Sequence, residues 1–157
     1  MNASIFRRLK LAGEAETRAF GAKLATLLQP GDVVALYGDL GRGKTTLSRG
    51  LIRSLTGPEQ DVPSPTYTLV QTYDVGDETI WHFDLYRVEH PDEVIELGFE
   101  DALNDICLIE WPEKAGRYLP EDRLSIEISG DGETRTLALL PGTPEWEVRL
   151  NGHFGNE

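Results

Sequence analysis

Gly38, Gly43, Lys44 and Thr45 stand at the spacing G-x-x-x-x-G-K-T within the stretch GDLGRGKTT, residues 38–46, and residues of those types at that spacing build a cradle for phosphate. Glycines open backbone conformations closed to other residues, so successive N–H groups can turn inward around a pyrophosphate. A helix starting directly behind them adds the positive end of its dipole. Lys44 then reaches the β- and γ-phosphates as a point charge, the Thr45 hydroxyl is placed to ligate a bridging magnesium ion, and Thr46 helps to orient phosphate. The whole loop, Gly38, Asp39, Leu40, Gly41, Arg42, Gly43, Lys44, Thr45 and Thr46, is therefore expected to line the phosphates. A dinucleotide fingerprint is excluded, because the glycines are not spaced G-x-G-x-x-G.

Such a loop works only between a strand and a helix. DVVALY, just before it, is a short apolar β-branched run that reads as a buried strand. After it, Leu47, Leu51, Ile52 and Leu55 fall at i, i+4, i+5 and i+8, one face of a helix that Gly57 and Pro58 should end. Strand, glycine loop and helix follow in the required order.

Hydrolysis or transfer needs more than a phosphate cradle: a carboxylate near the magnesium and a means of placing the nucleophile. Two β-rich runs end in an acid. Glu110 follows ICLI, and in an open α/β sheet the carboxyl ends of parallel strands border the ligand crevice, the edge where the phosphate loop begins. It is the better magnesium candidate. Asp84 follows IWHF, and if that strand is antiparallel its end lies elsewhere, so the order of the two stays open. Either could instead be a solvated acid at a strand end. His82, Asp84, Tyr86 and Arg87 are expected on one polar face of the run, with Phe83 and Leu85 on the other, a pattern that an ordinary half-exposed strand also shows. Trp111, next to Glu110, offers an aromatic surface beside a nucleotide or else fills the core. Ser64 and Thr66, set between prolines in a loop, have the chemistry of a γ-phosphate-sensing switch segment.

The remaining elements form a frame around these groups. SIFRRLKL is expected as an edge strand and Glu14 to Leu28 as a helix with Phe20, Leu24, Leu27 and Leu28 on one face. VPSPTYTLVQTY should begin as a loop and end as a strand; TLVQTYD and TIWHFDLYR, separated by VGDE, read as an antiparallel hairpin. Pro91 suits the first turn of a helix that Gly98 stops, with a short extra turn from Phe99 to Leu103. ICLIEW is a continuous apolar run, hence a central strand buried on both faces. A brief helix is expected around Glu113 to Tyr118, then a second hairpin from RLSIEIS and ETRTLALL, and a loosely held tail after Pro141.

At 157 residues, the chain is expected to be one domain with a full α/β core in three layers. Its net charge of −12 argues against gripping RNA or DNA unaided, since phosphate neutralisation by Lys and Arg supplies most such affinity. Neither a signal peptide nor a run of 18 apolar residues is apparent, so a cytoplasmic location away from membranes is expected. The single cysteine, Cys107, lies in an apolar run and reads as a small buried hydrophobe.

Taken together and in this order, GDLGRGKTT, SPTYTLVQTY, WHFDLYR and IEWPEKA resemble the TsaE (YjeE) family of small bacterial ATPases, from about Glu14 to Arg135. Arg42 stands where that family often has a small residue. The resemblance implies a P-loop α/β sheet with some antiparallel strands. It also implies a role in forming N6-threonylcarbamoyladenosine at position 37 of tRNAs that read codons starting with A. Members bind ATP and magnesium and associate with the TsaB–TsaD heterodimer, which performs the transfer; they support its repeated turnover, and tRNA is met only through these partners. By motif, the resemblance implies phosphate at Gly38 to Thr46, magnesium at Thr45 and Glu110, importance for Asp84 and Trp111, and nucleotide contacts near Glu14 and Arg135.

Three functions compete for this loop: an ATPase subunit completed by partners, a small-molecule kinase, and a non-hydrolysing nucleotide switch. Kinases of that kind usually close an arginine-rich lid over the phosphoryl group, and no loop here carries an arginine cluster. No NKxD-like guanine-reading segment is apparent, which favours ATP.

Overall fold

The computed structural model describes residues 5–38, 41–130 and 132–154; of Gly41 and Arg42 only the backbone is described. Seven strands form one sheet: β1 Arg7–Ala12, β2 Val33–Tyr37, β3 Val70–Val75, β4 Glu78–Asp84, β5 Ile106–Glu110, β6 Leu124–Ser129 and β7 Thr134–Pro141, in the order β1-β7-β6-β2-β5-β4-β3. The four central strands, β6, β2, β5 and β4, run parallel, and β1, β7 and β3 are antiparallel to their neighbours. This is the three-layer α/β P-loop fold, with a parallel core extended by antiparallel hairpins.

Burial explains the layers. The β-branched and leucine-rich runs of β2 and β5 sit mid-sheet, where both faces must be covered, and every residue of β5 is buried. On one face lie α1 Gly13–Ala25, α2 Gly41–Thr56 and α5 Pro144–Phe154, which bury Phe20, Leu24, Leu47, Leu51, Ile52, Trp146 and Leu150 against Val34, Leu36 and Leu108. On the other face the short helices α3 Glu93–Glu96 and α4 Phe99–Ala102 and the 3-10 stretch Pro112–Tyr118 pack Val94, Phe99 and Ala115 on Phe83, Cys107 and Ile109. Burial pushes the Cys107 thiol far above its ordinary range. No helix among the described residues is long and apolar enough to cross a membrane.

The approach of α1 to α2 depends on two glycines. A Cβ on Gly21 would lie 2.3 Å from the Leu47 carbonyl oxygen, and one on Gly50 would lie 2.2 Å from that of Arg18. Only hydrogen fits between the two backbones at these points, and the contact brings the start of α1 beside the phosphate loop.

Pro144–Phe154 depart from the expected loose tail after Pro141, being a helix. Trp146, Leu150 and Phe154 of α5 are buried, and the Phe154 ring packs 5.5 Å from that of Phe20. Arg149 donates two hydrogen bonds to the Asp32 carboxylate, at 2.7 and 2.9 Å, locking α5 to the residue before β2. β4 also ends sooner than its apolar alternation suggested. The Asp84 carboxylate accepts the Tyr86 N–H at 2.9 Å, a side-chain turn that takes Tyr86 and Arg87 out of the strand.

Candidate functional site

Because β2, β5 and β4 are parallel neighbours, their carboxyl ends share one edge of the sheet, and the phosphate loop, Glu110 and Asp84 all lie there. The topology also places the end of β4: the strand is antiparallel to β3 yet parallel to β5, and Asp84 is the register partner of Glu110. Both acids are buried rather than solvated, as is His82, so the polar side of β4 faces the interior of the site instead of water.

At the loop, Lys44 is fully buried; its ammonium donates to the Gly38 carbonyl at 2.7 Å and sits 3.8 Å from the centroid of the Trp111 ring. Gly38 leaves no room for a side chain, since a Cβ there would meet the Ile128 carbonyl at 2.7 Å, and a Cβ on Gly43 would press on the Ile128 methyl at 3.1 Å. Trp111 follows β5 in the left-handed region, φ 58° and ψ 50°. A tryptophan adopts that backbone only when its surroundings enforce it. Here the turn sets the indole over Lys44 and against Tyr86, 4.9 Å between ring centroids.

The Thr45 hydroxyl lies 3.3 and 3.5 Å from the two Glu110 carboxylate oxygens, and His82 Nε2 is 2.7 Å from Glu110 Oε2. A hydroxyl and a carboxylate converging beside a phosphate loop are hard oxygen donors. One or two such protein ligands, with the other positions left to phosphate and water, suit magnesium. The donor set thus fits the ion expected from the sequence.

Asp84 is held differently. Its Oδ2 accepts the Thr66 hydroxyl at 2.9 Å, and Thr66 in turn is 2.9 Å from the Ser64 hydroxyl. The expected switch residues are therefore tied to the second acid of the sheet edge. Leu69, which closes this loop with φ 71°, accepts the Asp84 N–H through its carbonyl.

On the other side of the loop a cavity of about 430 Å³ lies among Gly13, Glu14, Thr17, Gly43, Thr46, Gly132 and Arg135. Its volume is in the range of small-ligand sites. Glu14 and Arg135, more than a hundred residues apart in the chain, both line it. Arg135 is steadied by the carbonyls of Gly132 and Thr134, at 2.6 and 3.0 Å. Asp39 and Leu40 lie outside the described residues, as does the side chain of Arg42. Sequence reasoning placed His82 on the polar face without giving it a role, and it passed over Gly21 and Gly50; alternation on β4 was the only signal for the first, and helix-internal glycines for the second.

A mixed α/β sheet with a parallel core, a glycine loop at the carboxyl edge of that core, a buried Lys-Thr pair on the following helix and a facing glutamate defines a P-loop protein. Residues 11–137 match the family described as threonylcarbamoyl adenosine biosynthesis protein TsaE. The chain belongs to that family. It is 42% identical over 133 residues to the tRNA threonylcarbamoyladenosine biosynthesis protein TsaE of Rickettsia felis, covering 84% of this chain and 78% of the relative. With the Bacillus subtilis protein of the same name it shares 39% identity over 120 residues, 75% of this chain and 74% of the other. The crystal structure of Bacillus subtilis YdiB superposes with a TM-score of 0.78 at 28% identity, over 96% of this chain and 95% of that one.

Proposed function

We propose that this protein is a magnesium-dependent ATPase that supports the formation of threonylcarbamoyladenosine at position 37 of tRNA, acting with TsaB and TsaD. Family membership supports the place in tRNA threonylcarbamoyladenosine biosynthesis. The observation that carries the ATPase reading is the convergence of the Thr45 hydroxyl on the Glu110 carboxylate beside the buried ammonium of Lys44.

In this reading the cavity between Glu14 and Arg135 takes the nucleoside, and the amides of the loop take the phosphate tail. Lys44, already positioned by Gly38 and Trp111, turns its charge from the carbonyl to the β- and γ-phosphates. Thr45 and Glu110 hold the magnesium ion, which when bound neutralises charge developing on the phosphate oxygens. Asp84, bonded to Thr66, links the 62–69 loop to the sheet edge where the γ-phosphate would lie. The charge of −12 is consistent with tRNA being handled by TsaB and TsaD rather than by this chain. Cytoplasmic location is part of the proposal.

Titration of ATP with magnesium, and phosphate release with and without TsaB–TsaD, test the reading. Lys44→Ala removes a charge-assisted contact worth about 1.5–3 kcal/mol, so its ATP dissociation constant should rise roughly ten- to hundredfold. Unchanged affinity in that variant would overturn the phosphate site. Binding without phosphate release under any partner condition would make the protein a nucleotide switch instead.

A further inference from the structure

Among the polar groups buried at the sheet edge, the imidazole of His82 has no part in the reading above, yet it makes the shortest contact to the candidate metal ligand. Its Nε2 is 2.7 Å from Glu110 Oε2, closer than the Thr45 hydroxyl comes to either oxygen, and the two side chains are 0% and 1% exposed. Its Nδ1 is buried with no hydrogen-bond partner among the described residues. A carboxylate only accepts, so the contact puts the proton on Nε2 and leaves the lone pair on Nδ1, the nitrogen that has no partner to donate to. The ring therefore donates one hydrogen bond, and Glu110 receives it. Beside it in the sheet stand Leu108 on β5 and Gln71 on β3, neither of them charged.

We propose that His82 is a positioning residue for Glu110. A glutamate has three side-chain torsions and could turn its carboxylate several ways. Anchoring Oε2 to the imidazole N–H fixes the carboxylate plane and leaves Oε1 facing the Thr45 hydroxyl, so both oxygen donors are in place before a nucleotide–cation complex arrives. His82 neither binds the cation nor touches the phosphates; it acts only through Glu110. The inference rests on reading Thr45 and Glu110 as the cation pair.

Two substitutions separate positioning from packing. His82→Gln sets an amide N–H close to where Nε2 stood, whereas His82→Asn is too short to reach Glu110. Mn²⁺ binding to the protein–ADP complex is read from the EPR signal of free Mn²⁺, and ADP affinity is measured separately in EDTA. His82→Asn should weaken Mn²⁺ binding roughly 10- to 100-fold, the usual effect of losing a partner behind a metal ligand. ADP affinity in EDTA should stay at the parent value, and His82→Gln should recover most of the lost Mn²⁺ affinity. In a Glu110→Ala background, His82→Asn should cost nothing further; this arm uses no step that depends on turnover. Parent-like Mn²⁺ binding by His82→Asn would overturn the proposal, as would a loss of ADP affinity in EDTA equal to the loss of Mn²⁺ affinity. Should His82→Asn fail to fold, His82→Leu takes its place with the same expected loss. If the parent itself bound Mn²⁺ no better with ADP than without, the cation reading of Thr45 and Glu110 would fall, and this inference with it.

Discussion

Asp84 and Glu110 are register partners on adjacent parallel strands, and each buried carboxylate is held by a different set of groups. Glu110 meets the Thr45 hydroxyl and the His82 imidazole, and Asp84 meets the Thr66 hydroxyl and the Tyr86 amide. The first set belongs to the helix behind the phosphate loop, and the second to the 62–69 loop. Two carboxylates, side by side, are thus tied to separate elements of the site edge.

Glu110→Ala should lower magnesium-dependent ATP turnover by roughly a hundredfold, the scale of losing one group that stabilises developing charge. ATP affinity in EDTA should be left near the parent value, because the loop amides and Lys44 are untouched. Steady-state kinetics alongside calorimetric titration check this. Parent-rate hydrolysis by the variant would move the metal to Asp84 or to a partner's residue.

Thr66→Val keeps the shape of the side chain and removes its hydroxyl from Asp84 and Ser64. The global cost should be about 1 kcal/mol, while amide exchange at Leu69, whose N–H is bonded to the Pro65 carbonyl, should quicken well beyond that of β4. Exchange mass spectrometry of the 62–69 segment reads the difference. Equal protection in both proteins would mean that the hydroxyl pair does not order this loop.

Gly50→Ala drives a methyl group into the Arg18 carbonyl, where its carbon would come within 2.2 Å. Helix propensity alone favours alanine by about 1 kcal/mol, so a stabilised variant would show that the α1–α2 approach is loose. Overpacking against backbone is expected to win, with a net loss of about 1–3 kcal/mol in denaturant unfolding.

Cys107 supplies a pH signature with a defined sign. Burial raises its thiol pKa in the folded chain above the value in the unfolded chain, so the unfolded state releases this proton first as pH rises. Its contribution to stability is complete below the unfolded pKa of about 8.5 and is lost above it by up to about 1.4 kcal/mol per pH unit. The parent should therefore lose stability relative to Cys107→Ala between pH 8.5 and 10. A constant difference between the two across that range would mean that the thiol ionises in place.

Much of the site was legible because its signals are local. A phosphate loop needs glycines, a lysine and a threonine within nine consecutive positions, flanked by a strand and a helix, and all of these are neighbours in the chain. The same holds for the hairpins, whose turns lie between two β-rich runs, and for the buried central strand, whose apolar run is unbroken. The loosely held tail was misjudged because α5 is secured by a non-local partner: Arg149 reaches Asp32 across 117 positions.

Sequence by itself thus determined the glycine-loop motif with its flanking strand and helix, the layered α/β class and the two acids worth testing, since each depends on residue type and short spacing. Only the tertiary structure decided that β4 runs parallel to β5, which puts Asp84 beside Glu110. It also decided that His82 bonds to Glu110, that two glycines let α1 lie against α2, and that Glu14 and Arg135 line one cavity. The reason is physical: strand order and helix approach are set by how the whole chain buries its apolar faces, and no local spacing records that outcome.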